Sequence, residues 1–203
     1  MSTHAFSELS DAVVWDKFKE GNETALSKIY HSHIDALYNY GIKFNNNGDF
    51  VKDCIQELFY ELINHRSNLG TTNNIKFYLL KSLRRKIARN SGKIIHLRFE
   101  NNESEEMKDN QVPSVENMLI DEETNFEMEG KVKVLLQKLS KRQKEAIYLK
   151  FYQELGYDEI SEVMSISYQS ARTIIFKAIK TLRQEVGNSK IISMFLIMRM
   201  YRR

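Results

Sequence analysis

Leu139 to Arg183 reads LSKRQKEAIYLKFYQELGYDEISEVMSISYQSARTIIFKAIKTLR, and the spacing of its apolar residues decides the fold. Ala146, Ile147 and Leu149 to Phe151 recur at roughly helical intervals after Ser140, whose hydroxyl can cap a helix while Gln143 closes a capping box. Gly156 breaks that pattern. Ile160, Val163 and Met164 then form a second short stripe, and Ser165-Ile166-Ser167 supplies a tight turn with Ser167 placed to cap the next helix. From Tyr168 onward Ala171, Ile175, Ala178 and Leu182, supported by Ile174 and Ile179, form one apolar stripe. Gln169, Arg172, Thr173, Phe176, Lys177 and Lys180 lie on or beside the other face. A short helix, a three-residue turn and a basic helix predict a helix-turn-helix, whose second helix enters the major groove of DNA.

These residues resemble region 4 of a bacterial extracytoplasmic-function (group IV) sigma factor of the sigma-70 family. The usual pattern there is a Leu-Pro-x-x-Gln opening, a Tyr-x-Glu-Ile helix, and an Ala then Leu-Arg closing the recognition helix. Gln143, Tyr157, Glu159, Ile160, Ala178, Leu182 and Arg183 match it. Ser140 stands where Pro is usual, Ser165 where the turn often has Gly, and Ala171 where Val is common. Ser still caps, and Ala still fits a core-facing position. The resemblance implies an all-α chain of two small helical domains, region 2 and region 4, joined by an acidic linker. It also implies a protein that binds polymerase and promoter, not an enzyme. It assigns minus 35 DNA contact to Tyr168, Gln169, Ser170, Arg172, Thr173, Phe176, Lys177 and Lys180.

The bulk numbers agree with that class. At 203 residues the chain allows one or two domains, and its net charge of +3 averages an acidic middle against basic segments. One Cys excludes an internal disulfide framework and fits a reducing compartment; Cys54, amid an apolar stripe, reads as a small core residue. The start, MSTHAFSELSDAVVW, has no charged opening followed by an apolar run, and Ile191 to Met200 is shorter than the roughly 20 apolar residues a membrane span needs. A cytoplasmic protein without membrane insertion is expected. A single proline, Pro113, and few glycines leave the chain free to be helical.

In the amino-terminal half, Val14, Phe18, Leu26, Ile29 and Tyr30, then Ile34, Leu37, Tyr38 and Ile42, space out as two amphipathic helices divided near Gly21-Asn22-Glu23. After the turn cluster Asn45 to Asp49, the residues Val51, Ile55, Leu58, Phe59, Leu62 and Ile63 form the clearest stripe in the chain. Asp53, Gln56, Glu57, Tyr60 and Glu61 lie opposite. A solvated face would explain them, but Asp53 to Phe59 also resembles the region 2.2 signature of the same family. The resemblance makes Asp53, Gln56, Glu57 and Tyr60 candidates for docking on the clamp coiled coil of core RNA polymerase. The polar run HRSNLGTTNN then breaks the helix, and Ile75 to Arg89 follows as IKFYLLKSLRRKIAR. Here Lys76, Lys81, Arg84, Arg85, Lys86 and Arg89 surround a stripe of Tyr78 or Leu79, Leu83 and Ile87, predicting a helix basic on most of its exposed circumference. Clustered cations beside aromatics suit a phosphate backbone. The resemblance places region 2.4 here, with the preceding loop capturing an unstacked base; the minus 10 candidates are Asn68, Thr72, Asn74, Lys76, Lys81, Arg84, Arg85 and Arg89. Arg85 stands where many relatives have Asn.

From Glu100 to Glu129 acidic residues dominate. Glu100 to Val115 reads as a flexible linker and Glu116 to Gln137 as a helix leading onward. The resemblance implies that the linker threads the basic channel of the polymerase. The expected division is 10–92 for region 2, 93–130 for the linker, 131–187 for region 4, and 188–203 for an apolar, Met-rich tail with a basic end.

No Gly-rich phosphate loop or Gly-x-Ser-x-Gly turn occurs, and the histidines are not set with carboxylates or cysteines at metal-site spacing, so no cofactor or metal is expected. The expected partners are bacterial core RNA polymerase, promoter DNA and an anti-sigma factor. A stand-alone helix-turn-helix repressor or activator is the rival reading, and it predicts unaided binding to a symmetric operator. A helical scaffold whose basic faces are merely solvated is the third.

Overall fold

In the computed structural model residues 9–91 and 136–186 are described. They form seven α-helices, a 3₁₀ turn and a π turn, with no strand among the described residues, as the all-α reading expects. The chain divides into two compact units, Met1–Asn110 and Gln111–Arg203. The expected linker, the helix to Gln137 except its last two residues, and the tail lie outside the described residues.

In the first unit α1 (Asp11–Lys19), α2 (Glu23–Gly41), α3 (Gly48–Asn64) and α4 (Ile75–Asn90) form a bundle. Helix α4 packs on both α2 and α3, and α1 closes against α2 and reaches α4. Asparagine begins three of the four helices. The Asn22 side chain accepts from the Ala25 amide, Asn47 from Asp49 and Phe50, and Asn74 from Phe77, satisfying amides that the first helical turn leaves unpaired. Trp15, Ile29, Leu37, Tyr40, Leu79, Leu80 and Leu83 are fully buried. At about 1.5–3 kcal/mol for each buried large side chain, this core outweighs any single surface pair. The open choice in α4 resolves to Leu79, which is buried, while Tyr78 is half-buried. Ile63 corrects the stripe read for α3: it is 37% exposed, because it falls past the flank of the arc running through Val51, Leu58 and Leu62.

In the second unit α5 (Lys141–Ile147) winds into a π turn (Tyr148–Tyr152), followed by α6 (Tyr157–Met164) and α7 (Tyr168–Val186). The expected capping box is present: the Gln143 amide donates to Ser140 Oγ at 3.3 Å, and the Ser140 amide donates to Gln143 Oε1 at 2.9 Å. Gly156 starts α6, its amide donating to Glu159 Oε2 at 2.8 Å. Leu139, Ile147, Ala178 and Leu182 form one core cluster, with Phe151 and Ile179 packed against it. The π turn is what the periodicity could not show. Its wider winding is closed by the Gln153 amide donating to the Tyr148 carbonyl at 3.1 Å and by Gln153 Nε2 donating to the buried Tyr148 hydroxyl at 2.9 Å. Burial pushes the Tyr148 phenol up to about 12, so it stays a neutral structural group.

Candidate nucleic-acid and polymerase interface

The turn between α6 and α7 rests on one residue in a left-handed conformation, Ser165, with φ 54° and ψ 50°. The Ile166 amide donates to the Ser161 carbonyl at 2.9 Å, and Ser167 then starts α7: its Oγ accepts from the Ser170 amide at 3.1 Å. Ser167 Oγ also donates to Ser170 Oγ at 2.8 Å, so the Ser170 hydroxyl is engaged at the helix start. Ala171, Ile175, Ala178 and Leu182 are buried. Gln169, Arg172, Phe176, Lys177 and Lys180 are exposed and Thr173 half-buried, on the arc away from that stripe. Tyr168 lies toward one flank, edge-on to Tyr157 with ring centroids 6.1 Å apart. Lys150 Nζ sits 4.7 Å from the Tyr157 centroid and the Arg172 guanidinium 5.9 Å from that of Tyr168. Each such contact contributes about 0.5–1 kcal/mol at an exposed site, enough to bias a rotamer. The face can therefore present three cations, two amide- or hydroxyl-bearing side chains and one phenyl ring to a groove.

In the first unit the loop before α4 is held from behind. Trp15 Nε1 donates to the Gly70 carbonyl at 2.8 Å, and Asp11 Oδ2 accepts from the Ile75 amide at 2.8 Å. Thr72 and Asn74, both minus 10 candidates, have local work: Thr72 Oγ1 accepts from the Asn74 amide at 3.2 Å, and Asn74 Oδ1 caps α4. Asn68 is exposed in the 3₁₀ turn Arg66–Asn68. The basic candidates do not form one patch. Lys81, Arg84 and Arg85 share the outward arc of α4, with Lys81 over Phe77 and Arg84 over Phe44. Lys76 lies by His33 of α2, where burial, partly countered by Asp11, holds the imidazole below its ordinary value. Arg89 Nη2 donates to Glu61 Oε1 at 3.4 Å. An open cleft of about 360 Å³ lies between the end of α3, the loop and α4, lined by Leu58, Leu62, Leu69, Tyr78, Arg85 and Arg89 among others.

Lys86 overturns the reading of α4 as cationic around its exposed circumference. It is only 4% exposed, and its Nζ donates to Glu61 Oε1 at 2.7 Å and Glu57 Oε2 at 3.3 Å. A buried ammonium without partners costs several kcal/mol, so the two carboxylates are what permit it. Asn90 Nδ2 donates to the same Glu57 oxygen at 3.2 Å. Hydrogen bonds from Asn90 and then Lys86 hold the Glu57 carboxyl below its ordinary range, and the bond from Lys86 does the same for Glu61. Asp53, Gln56, Glu57 and Tyr60 are all exposed on the outer face of α3, Tyr60 at 67%. Glu57, though exposed, thus has an internal duty in holding Lys86 and Asn90. Cys54 is buried beneath this face, where desolvation raises its thiol pKa and keeps it unreactive.

Residues 130–182 match the family model described as sigma-70, region 4. That segment is similar to sigma-70 region 4. The fold is shared with CnrH, solved in complex with the cytosolic domain of CnrY, at 16% identity and a TM-score of 0.56 over 87% of this chain and 96% of that one. The sigma factor RpoE of Bartonella quintana, solved with the anti-sigma factor NepR, aligns at 18% identity and a TM-score of 0.49 over 80% of this chain and 98% of that one. No curated protein matches the chain in sequence. The region 4 resemblance read from the sequence is matched over residues 130–182, and the all-helical fold is that of CnrH.

Sequence reasoning missed Lys86 and the pinning of the loop by Trp15. A signal for Lys86 was available: Leu79, Leu83 and Lys86 stand at i, i+4 and i+7, so the lysine falls on the apolar stripe itself. The bond from Trp15 to Gly70 joins residues 55 apart, and no local pattern encodes it.

Proposed function

We propose that this sigma factor binds bacterial core RNA polymerase in the cytoplasm and directs promoter-specific initiation, reading minus 35 and minus 10 elements and helping to melt DNA. The observation that carries the proposal is a region 4 helix-turn-helix whose second helix exposes Gln169, Arg172, Phe176, Lys177 and Lys180 to solvent. Arg172 and Lys177 are assigned to base or phosphate contact, with Gln169, Ser170, Thr173 and Phe176 tuning sequence choice. The exposed outer face of α3, with Asp53, Gln56, Glu57 and Tyr60, docks on the polymerase, Gln56 and Glu57 supplying hydrogen bonds and charge around an apolar centre. In the minus 10 role, Lys81, Arg84 and Arg85 neutralise phosphates. The cleft lined by Leu69, Tyr78 and Arg85 supports accommodation of an unstacked base, whose extrusion costs a few kcal/mol. Asn68 contacts the strand directly, while Thr72 and Asn74 act by shaping the loop. Lys76 and Arg89 flank the strand's path. A protein antagonist, an anti-sigma factor, is a further proposed partner; that CnrH was solved bound to a cytosolic domain supports it.

Run-off transcription with purified core polymerase and a promoter library tests the reading. The wild-type chain is expected to select promoters. Arg172→Ala should weaken use of the selected minus 35 element, by about 1–3 kcal/mol if it makes a bidentate base contact. Glu57→Ala should weaken assembly with core. A chain that never supports initiation, yet protects a palindromic operator unaided, is a stand-alone regulator instead.

A further inference from the structure

Phe176 is 66% exposed on a helix whose other exposed residues, apart from the aromatic Tyr168 in its first turn, are polar or cationic. A single exposed apolar side chain is common on a protein surface, and what sets Phe176 apart is its place in the middle of the helix face assigned to the groove. Nothing about helix stability calls for it, since Phe is a weaker helix former than the Lys, Gln or Arg around it. It is also remote from the packed side of α7, where Ala171, Ile175, Ala178 and Leu182 are fully buried. Arg172 and Thr173 stand one turn before it and Lys180 one turn after, on adjoining positions of the surface. Phe176 lies eight residues beyond Tyr168, about 12 Å along the axis, which is the width of a major groove. Its cationic neighbours match the phosphate charge on both walls of such a groove.

We propose that Phe176 reads a thymine in the minus 35 element by apolar contact with the C5-methyl group. This rests on the proposed function and adds the chemistry of the base read. The methyl is the only apolar group that a base edge offers in the major groove, and a phenyl ring can neither donate nor accept a conventional hydrogen bond there. Contact with the ring removes that methyl from water, and deoxyuridine, which lacks only the methyl, removes the contact without altering the hydrogen-bonding edge. A buried methyl contributes a discrimination of about fourfold.

The test uses holoenzyme reconstituted from core polymerase and the full chain, on a promoter selected by the wild-type protein. Each minus 35 thymidine on either strand is replaced in turn by deoxyuridine, and promoter-complex dissociation constants are measured for wild type, Phe176→Leu and Phe176→Ala. One position is expected to lose about fourfold with wild type, less with Phe176→Leu, and nothing with Phe176→Ala. The proposal is overturned if no deoxyuridine weakens the wild-type complex, if Phe176→Ala shows the same loss at the same position, or if the selected element has no thymine on either strand. Scrambling the whole minus 35 element in parallel separates the two levels: if scrambling also leaves wild-type binding unchanged, helix α7 does not read DNA and the functional reading fails with it.

Discussion

Lys86 shows how far one side chain can depart from its reputation. Lysine in a run such as LRRKIAR suggests solvent, yet its position on the Leu79–Leu83 stripe turns it inward, and only Glu57 and Glu61 on the neighbouring helix make that tolerable. The arrangement has a pH signature. Both carboxylates have folded-state values below the ordinary 4.5, so their stabilisation is complete above 4.5 and is lost as pH falls through the folded values. His33, held below 6.5 by burial, adds a separate loss as pH falls below that value, because its charged form is disfavoured in the fold. Urea midpoints followed by the fluorescence of Trp15, the sole tryptophan, are expected to drop as pH falls below 4.5. The drop should shrink in the triple variant Lys86→Met, Glu57→Gln, Glu61→Gln, which removes the network but leaves His33. Equal acid sensitivity in the two proteins rules out this account.

At the scale of elements, the decisive joints are short. Gly41 ends α2 where it meets α3: a Cβ there would stand 2.5 Å from Cγ1 of the buried Val51, so any side chain requires Val51 or the backbone around it to shift. The joint between α6 and α7 depends on Ser165, and a non-glycine residue in the left-handed region carries strain of about 1–2 kcal/mol. Ser165→Gly is therefore expected to raise the stability of the second unit by about 0.5–1 kcal/mol, after the larger unfolded-state entropy of glycine is subtracted. Thermal unfolding by circular dichroism reads this, and a variant less stable than wild type contradicts it. The same residue was noticeable in the sequence as a serine where the turn often has glycine. What the structure adds is the sign of its φ.

At the scale of the whole molecule, two units each carry a core of their own, and each carries one candidate DNA surface. Leu182, fully buried in the second, is expected to cost about 2–5 kcal/mol when changed to Ala and to remove dependence on the minus 35 sequence. Far-UV circular dichroism reports the loss, and transcription from promoters with intact and scrambled minus 35 elements reports the consequence; unchanged preference for the intact element argues against the assignment. By itself the sequence determined the all-helical class, the capping box at Ser140, the helix-turn-helix and the outward face of α7, because each is written in spacings of three or four residues and in local capping chemistry. Tertiary structure alone decided that Trp15 holds Gly70, that Asn90 and Lys86 hold Glu57, and that the basic residues of α4 part in several directions. Those contacts join residues 29 to 55 apart. They exist only once the helices have packed, and helical periodicity says which face of a helix is inward without saying which neighbour it meets.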